Sequence, residues 1–161
     1  MTRTMEPPEV AFTWRLHAGL EAMAARADAK AGILLAHQGG AFVLGVTALQ
    51  VHRVGWLLAL ALMLVVAAMG TSVAVVVPVL RPKTHMVTSD DIVYFGHLRE
   101  WQPPSLARRI ERLSKEDEIA MVTRQLVTLS RINWRKHRLL QISLSLTVSA
   151  MSVGAVAVTL L

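Results

Sequence analysis

"ARADAKAGILLAHQGGAFVLGV", residues 25–46, is the stretch on which the reading of the whole chain turns. Arg26, Asp28 and Lys30 stand directly before an apolar run, and His37 and Gln38 lie inside it. From Ala31 to Val51 the run is long enough to cross a bilayer, because a helical span takes roughly 20 predominantly apolar residues. Charges of both signs therefore mark the mouth of a membrane helix, and two polar side chains stand within it.

Two further runs of this kind follow, Gly55 to Leu80 and about Leu139 to Leu161, with no ionisable residue in their interiors. With 161 residues, 53% of them hydrophobic and 17% charged, the chain is too apolar to hide its hydrophobic side chains in one small soluble core. Glu6, Glu9, Glu21, Asp28 and two prolines in the first thirty residues do not make a secretory signal, so this segment is expected to stay on the chain. Sixteen of the 17 Lys and Arg lie before the first run or between Arg81 and Arg138. The positive-inside rule then puts the N-terminus and the 81–138 segment in the cytoplasm and the C-terminus outside. The expected fold is an all-α membrane protein with three transmembrane helices and a cytoplasmic helical stalk. Its parts are an amphipathic N-terminal helix (1–30), two spans joined by a tight external turn (31–80), a cytoplasmic helical segment (81–138) and a third span (139–161).

The net charge of +6 is absorbed by insertion and by anionic lipid heads, so the bilayer is an expected partner and nucleic acid is not. The chain has no cysteine, which rules out a disulfide framework or a thiolate metal site.

Spacing supplies the local detail. Val10, Trp14, Leu16, Leu20, Met23 and Ala27 recur near every third or fourth residue, predicting an amphipathic helix that runs into the first span. Gly32, Ala36 and Gly40 form a small-residue row on that span, and Gly70 with Ala74 begins another on the second, as close helix packing requires. Ser145, Ser149 and Ser152 share a face of the third span and can hydrogen-bond across a helix interface. Pro82 is expected to stop the second span, and "QPPS" at 102–105 breaks the segment between spans. Ser114 with Asp117 resembles a capping box, and Ile119, Val122, Leu126, Leu129 and Ile132 or Asn133 predict one helix from Lys115 into the third span.

No HExxH, phosphate-binding Walker loop or GxSxG is present, and the six histidines have no metal-ligand spacing. The adjacent Glu116, Asp117 and Glu118 suit the first turn of a helix. No catalytic residue, metal site or cofactor is expected. Three clusters remain: Asp28 with Lys30; Tyr94 and His97 in "YFGHL" (94–98); and Gln125, Arg131, Arg135 and Lys136 on the last long helix. Together they offer cations for a phosphate, amide and imidazole edges for a base, and an aromatic face for stacking. Lys30, Arg135 and Lys136 serve equally well as snorkelling anchors, and Tyr94 with Phe95 as local core. His37 and Gln38 are expected to face other helices or a water-filled gap. Asp28 is expected to pair with Lys30 or with a cation of the last helix such as Arg135.

"WRL" at 14–16, "ADAKAGILL" at 27–35, "YFGHL" and the "RQ…SRINWRKHRLL" helix make the chain resemble the Pycsar effector proteins of the transmembrane type over roughly residues 10–160. That resemblance implies a multi-pass effector of the bacterial inner membrane in anti-phage defence. It implies a cyclic pyrimidine nucleotide ligand, cUMP or cCMP, made by a neighbouring pyrimidine cyclase, and killing of the infected cell through damage to the membrane. A homo-oligomer is expected, because three spans enclose little space. Two other readings fit the composition: a scaffold subunit of a membrane complex, and a small channel or transporter.

Overall fold

The computed structural model describes residues 8–51, 55–77, 92, 98 and 101–160. Among them are four helices and no strand: α1 (Pro8–Val51), α2 (Gly55–Val76), α3 (Pro103–Glu111) and α4 (Lys115–Thr159). Three of these, α1, α2 and α4, are long and apolar enough to cross a membrane. The chain divides into two compact units, one made of Met1–Met23 with Leu80–Ile132 and the other of Ala24–Val79 with Asn133–Leu161. Both α1 and α4 contribute to each unit without a break in the helix.

The second unit is the membrane bundle. Its α2 turns Leu58, Ala61, Val65, Ala68, Ser72 and Val75 inward, a strict three-four spacing. Ala27, Ala31 and Gln38 of α1 and Ser143, Ala150 and Ala157 of α4 are buried with them. The inward residues are mostly small and the large ones point out: Leu44, Trp56, Met63, Trp134 and Met151 are all more than two-thirds exposed. That inversion of the soluble pattern suits lipid, where close approach of backbones rather than flight from water holds helices together. Gly45 shows the closeness, since a Cβ there would come within 2.8 Å of the Leu62 side chain. Beside it, Gly45, Ala48, Ala61, Leu62, Ala150 and Gly154 help to line an apolar cavity of about 250 Å³.

Three details differ from the sequence-based expectation. Helix α2 stops at Val76, short of Leu80, because Pro78 lies two residues on and the residue before a proline disfavours helical backbone. The rows Gly32–Ala36–Gly40 and Gly70–Ala74 face away from the bundle, and a Cβ at Gly32, Gly40 or Gly70 would meet nothing within 4 Å. The inward hydroxyls of α4 are Ser143 and Thr147, not Ser145, Ser149 and Ser152. The turn at 52–54, the loop around Pro82 and most of "YFGHL" lie outside the described residues.

The first unit is polar and is fastened by side chains. Val10, Met121 and Val122 are its buried apolar residues, and Ile119, Leu126 and Leu129 are half-buried at the predicted spacing. On α1 His17 is buried as well as Val10, while Leu16 and Met23 point outward. Helix α3 begins at the two prolines, which pre-set the first turn, and α4 begins where the Asp117 amide donates to Ser114 Oγ at 3.1 Å.

At the centre of the membrane bundle the Gln38 amide makes three hydrogen bonds. Gln38→Leu removes all of them yet leaves Ser72 and Ser143 bonded to each other, so a loss of about 1–2 kcal/mol is expected, by the measured worth of interhelical hydrogen bonds in bilayers. Reversible unfolding in lipid micelles, compared with Ile33→Leu on the lipid face as a neutral reference, checks it.

Candidate functional site

Polar groups of the membrane unit lie at two levels. At the lower one, Lys136 Nζ donates to Asp28 Oδ1 at 2.5 Å, joining α4 to α1. The Lys136 side chain keeps 19% of its exposure and that of Asp28 37%, so the pair is partly withdrawn from solvent but still reachable. Asp28 thus pairs with the last helix, through Lys136 and not Arg135. Lys30, two residues along α1, points in another direction, as residues two apart on a helix must. Lys30 and Arg135 are both exposed.

Ten residues further along α1, about 15 Å at 1.5 Å per residue, stands the second level. Gln38 Nε2 donates to Ser143 Oγ at 2.9 Å and to Thr147 Oγ1 at 2.8 Å, and Ser72 Oγ donates to Gln38 Oε1 at 3.1 Å. Ser72 and Ser143 share a further bond of 2.7 Å, and Ser143 also meets the Ala68 carbonyl at 3.1 Å. Gln38, Ser72 and Ser143 have no exposed surface at all. An amide in hydrocarbon needs its donors and acceptor satisfied by protein, and here each of the other two spans supplies a hydroxyl. His37 is turned about 100° from Gln38 by the helix and does not join them. Its imidazole is exposed on the outer face, with Nδ1 donating to the Ile33 carbonyl at 2.8 Å.

The first unit holds a different set of contacts. Trp14 Nε1 donates to Glu118 Oε1 at 2.7 Å, Lys115 pairs with Glu9 at 2.9 Å, and Arg109 approaches Asp117 at 3.7 Å. The acidic first turn of α4 therefore does more than complement the helix dipole: two of its three acids hold other helices. His17 packs edge-on to Trp14 and lies 3.7 Å from Glu21, but its buried Nε2 has no hydrogen-bond partner, nor has Arg109 Nε. Gln125 is half-buried and Arg131 exposed in this unit. Tyr94 and His97 lie outside the described residues.

Sequence reasoning singled out Asp28, Lys136 and Gln38, which the structure places in contacts between helices. It missed Ser72, Ser143, Thr147, His17 and Arg109. For Ser72 the available signal was its place as one of only two hydroxyls in an otherwise apolar span. No group of His, Asp and Glu able to hold a metal ion occurs among the described residues.

The fold and these sites define a small α-helical membrane protein with a polar centre inside its bundle and a separate polar helical unit. Residues 12–161 match the Pycsar effector protein domain, and the chain belongs to that family. No curated protein and no solved structure matches it.

The Lys115 ammonium bonded to Glu9, together with the Glu9 amide and the charge of Lys115, holds the Glu9 carboxyl below its ordinary value of 4.5. Such a group stabilises the fold above its unfolded pKa, and the contribution disappears as pH falls through the lowered folded value. A carboxyl NMR titration should place Glu9 below 4.5, and Lys115→Ala should raise it toward that value; the exposed pair itself adds little to stability.

Proposed function

We propose that this chain is a membrane effector of anti-phage defence, activated by a cyclic pyrimidine nucleotide, cUMP or cCMP, to impair the bacterial inner membrane and abort infection. The observation that carries the reading is membership of the Pycsar effector family over nearly the whole chain, three apolar helices included. In this reading the messenger comes from a neighbouring pyrimidine cyclase and the effector acts as a homo-oligomer. The distribution of Lys and Arg supports a cytoplasmic N-terminus and an external C-terminus.

The Asp28–Lys136 pair suggests how an anion would act. Asp28 neutralises Lys136 at rest, with Lys30 and Arg135 exposed at neighbouring positions of the same two helices. A cyclic phosphate offers a competing acceptor for Lys136, and its charge-assisted bonds would replace the carboxylate. Binding can shift an equilibrium only through different affinity for two states, and a freed Asp28 at the bilayer edge supplies that difference. Gln125 and Arg131, within the first unit, and Tyr94 and His97 remain candidate ligand contacts in their own right.

Two experiments test this reading. Cells expressing the protein together with cUMP, cCMP, cAMP or cGMP should depolarise and admit dye with one pyrimidine messenger only; no response to any of the four, with inserted protein demonstrated, would overturn it. Asp28→Asn keeps the shape of the side chain but frees Lys136, and should lower the messenger level needed for depolarisation by roughly tenfold, about 1.4 kcal/mol. An unchanged threshold would remove the pair from the mechanism.

A further inference from the structure

The outer surfaces of the membrane bundle carry polar groups that the bundle itself leaves unused. On α1 the centre of the outer face is the row Gly32–Ala36–Gly40, and His37 stands at its flank, exposed. The Ile33 carbonyl can only accept, so in the neutral ring its bond to His37 puts the proton on Nδ1 and leaves Nε2 an acceptor. On α4 the outer face carries Ser145, Ser149 and Ser152, also exposed. Ser152 bonds back to the Val148 carbonyl at 3.0 Å, whereas the Ser145 and Ser149 hydroxyls make no hydrogen bond.

These groups lie at one depth. Asp28 bonds residue 136, and Gln38 bonds residues 143 and 147, so α1 and α4 run parallel with a residue of α1 level with one about 107 further along the chain. His37 is accordingly level with Ser145. Both are near the middle of the bilayer, about 15 Å above the ion pair, where an unpaired polar group is costly.

We infer that the outer face of α1 in one copy packs against the outer face of α4 in the next, the Gly32–Ala36–Gly40 row against Ser145 and Ser149, with a serine hydroxyl donating to His37 Nε2. Hydrogen-bond chemistry selects this pairing over the alternatives. Two α1 faces would bring two acceptors together with no donor between them. Two α4 faces would satisfy the serines but strand both histidines. Helix α2 offers nothing at this depth, since Thr71 is bonded to the Ala68 carbonyl and Ser72 is inside the bundle. Only α1 against α4 satisfies both sets, and both rows are small enough for the close approach such a bond needs. Because the two faces differ, the contact is heterologous and repeats head to tail, so it builds a ring or an open chain of copies rather than a closed pair. The inference rests on the assembly proposed above but does not depend on the messenger.

The chain has no cysteine, so oxidative cross-linking of the full-length protein in native membranes reads the contact directly. Two differently tagged copies, one carrying Ala36→Cys and the other Ser145→Cys, are co-expressed and oxidised with and without cUMP or cCMP. The expected result is a mixed dimer, with neither single variant forming a dimer with itself, and a ladder of higher species when both cysteines are in one chain. His37→Leu should reduce the mixed dimer several-fold, while Met151→Leu, exposed and turned away from the Ser145–Ser149 stripe of α4, should not. Dimers of Ala36→Cys with itself, or of Ser145→Cys with itself, would overturn the heterologous pairing. So would absence of any mixed dimer in membranes that still depolarise with messenger. A mixed dimer in cells that respond to no messenger would sustain this contact and remove only the messenger reading.

Discussion

A primary amide placed in the middle of a bilayer has no water to turn to, and this constraint organises the membrane unit. Gln38 must present two donors and one acceptor to protein, and it meets Ser143 and Thr147 on α4 and Ser72 on α2. No rotation of α2 or α4 by even one residue keeps those hydroxyls in place, since each residue turns a helix by about 100°. The network therefore sets which face of each span looks inward, and the small residues above and below it follow: Ala27 and Ala31, Ala61 and Ala68, Ala150 and Ala157. In hydrocarbon, where apolar packing alone scarcely distinguishes one face from another, this is how a uniformly greasy helix acquires a unique orientation.

The first unit reaches specificity by other means. Its apolar core is slight, and its contacts are ion pairs and an indole bond at the surface: Glu9 with Lys115, Arg109 with Asp117, Trp14 with Glu118. Exposed pairs of this kind are worth little each and respond to salt. The two units thus differ in kind, one locked by hydrogen bonds in a medium that cannot compete for them and the other held by contacts that water and ions weaken. Helices α1 and α4 run without a break through both units.

Much of the fold was legible in the sequence because hydropathy and helix punctuation report it directly. The three spans, the start of α4 at Ser114 and Lys115, and the break at Pro103 and Pro104 follow from composition and capping chemistry. The facing of the helices was not legible. Ser145 and Ser143 differ by two positions, yet one faces lipid and the other the bundle, and hydropathy cannot separate them when both faces of a span are apolar. The same gap explains the small-residue rows, which were expected inside and lie outside. Asp28 announced its need for a partner by its place beside the bilayer, but the choice of Lys136 over Arg135 depends on one residue of helical rotation. Contacts between distant segments, such as Trp14 with Glu118, leave no local trace.

Within the membrane unit, helices α1 and α4 are pinned to each other twice, at the Asp28–Lys136 pair and at the Gln38 amide, and two pins forbid sliding. Beyond the second pin no polar contact joins the two helices among the described residues, and the apolar cavity beside Gly45 and Gly154 leaves the spans short of neighbours. Fastening is therefore uneven along the spans, polar from the ion pair to Gln38 and beyond it left to the packing of small residues such as Ala61, Ala150 and Ala157.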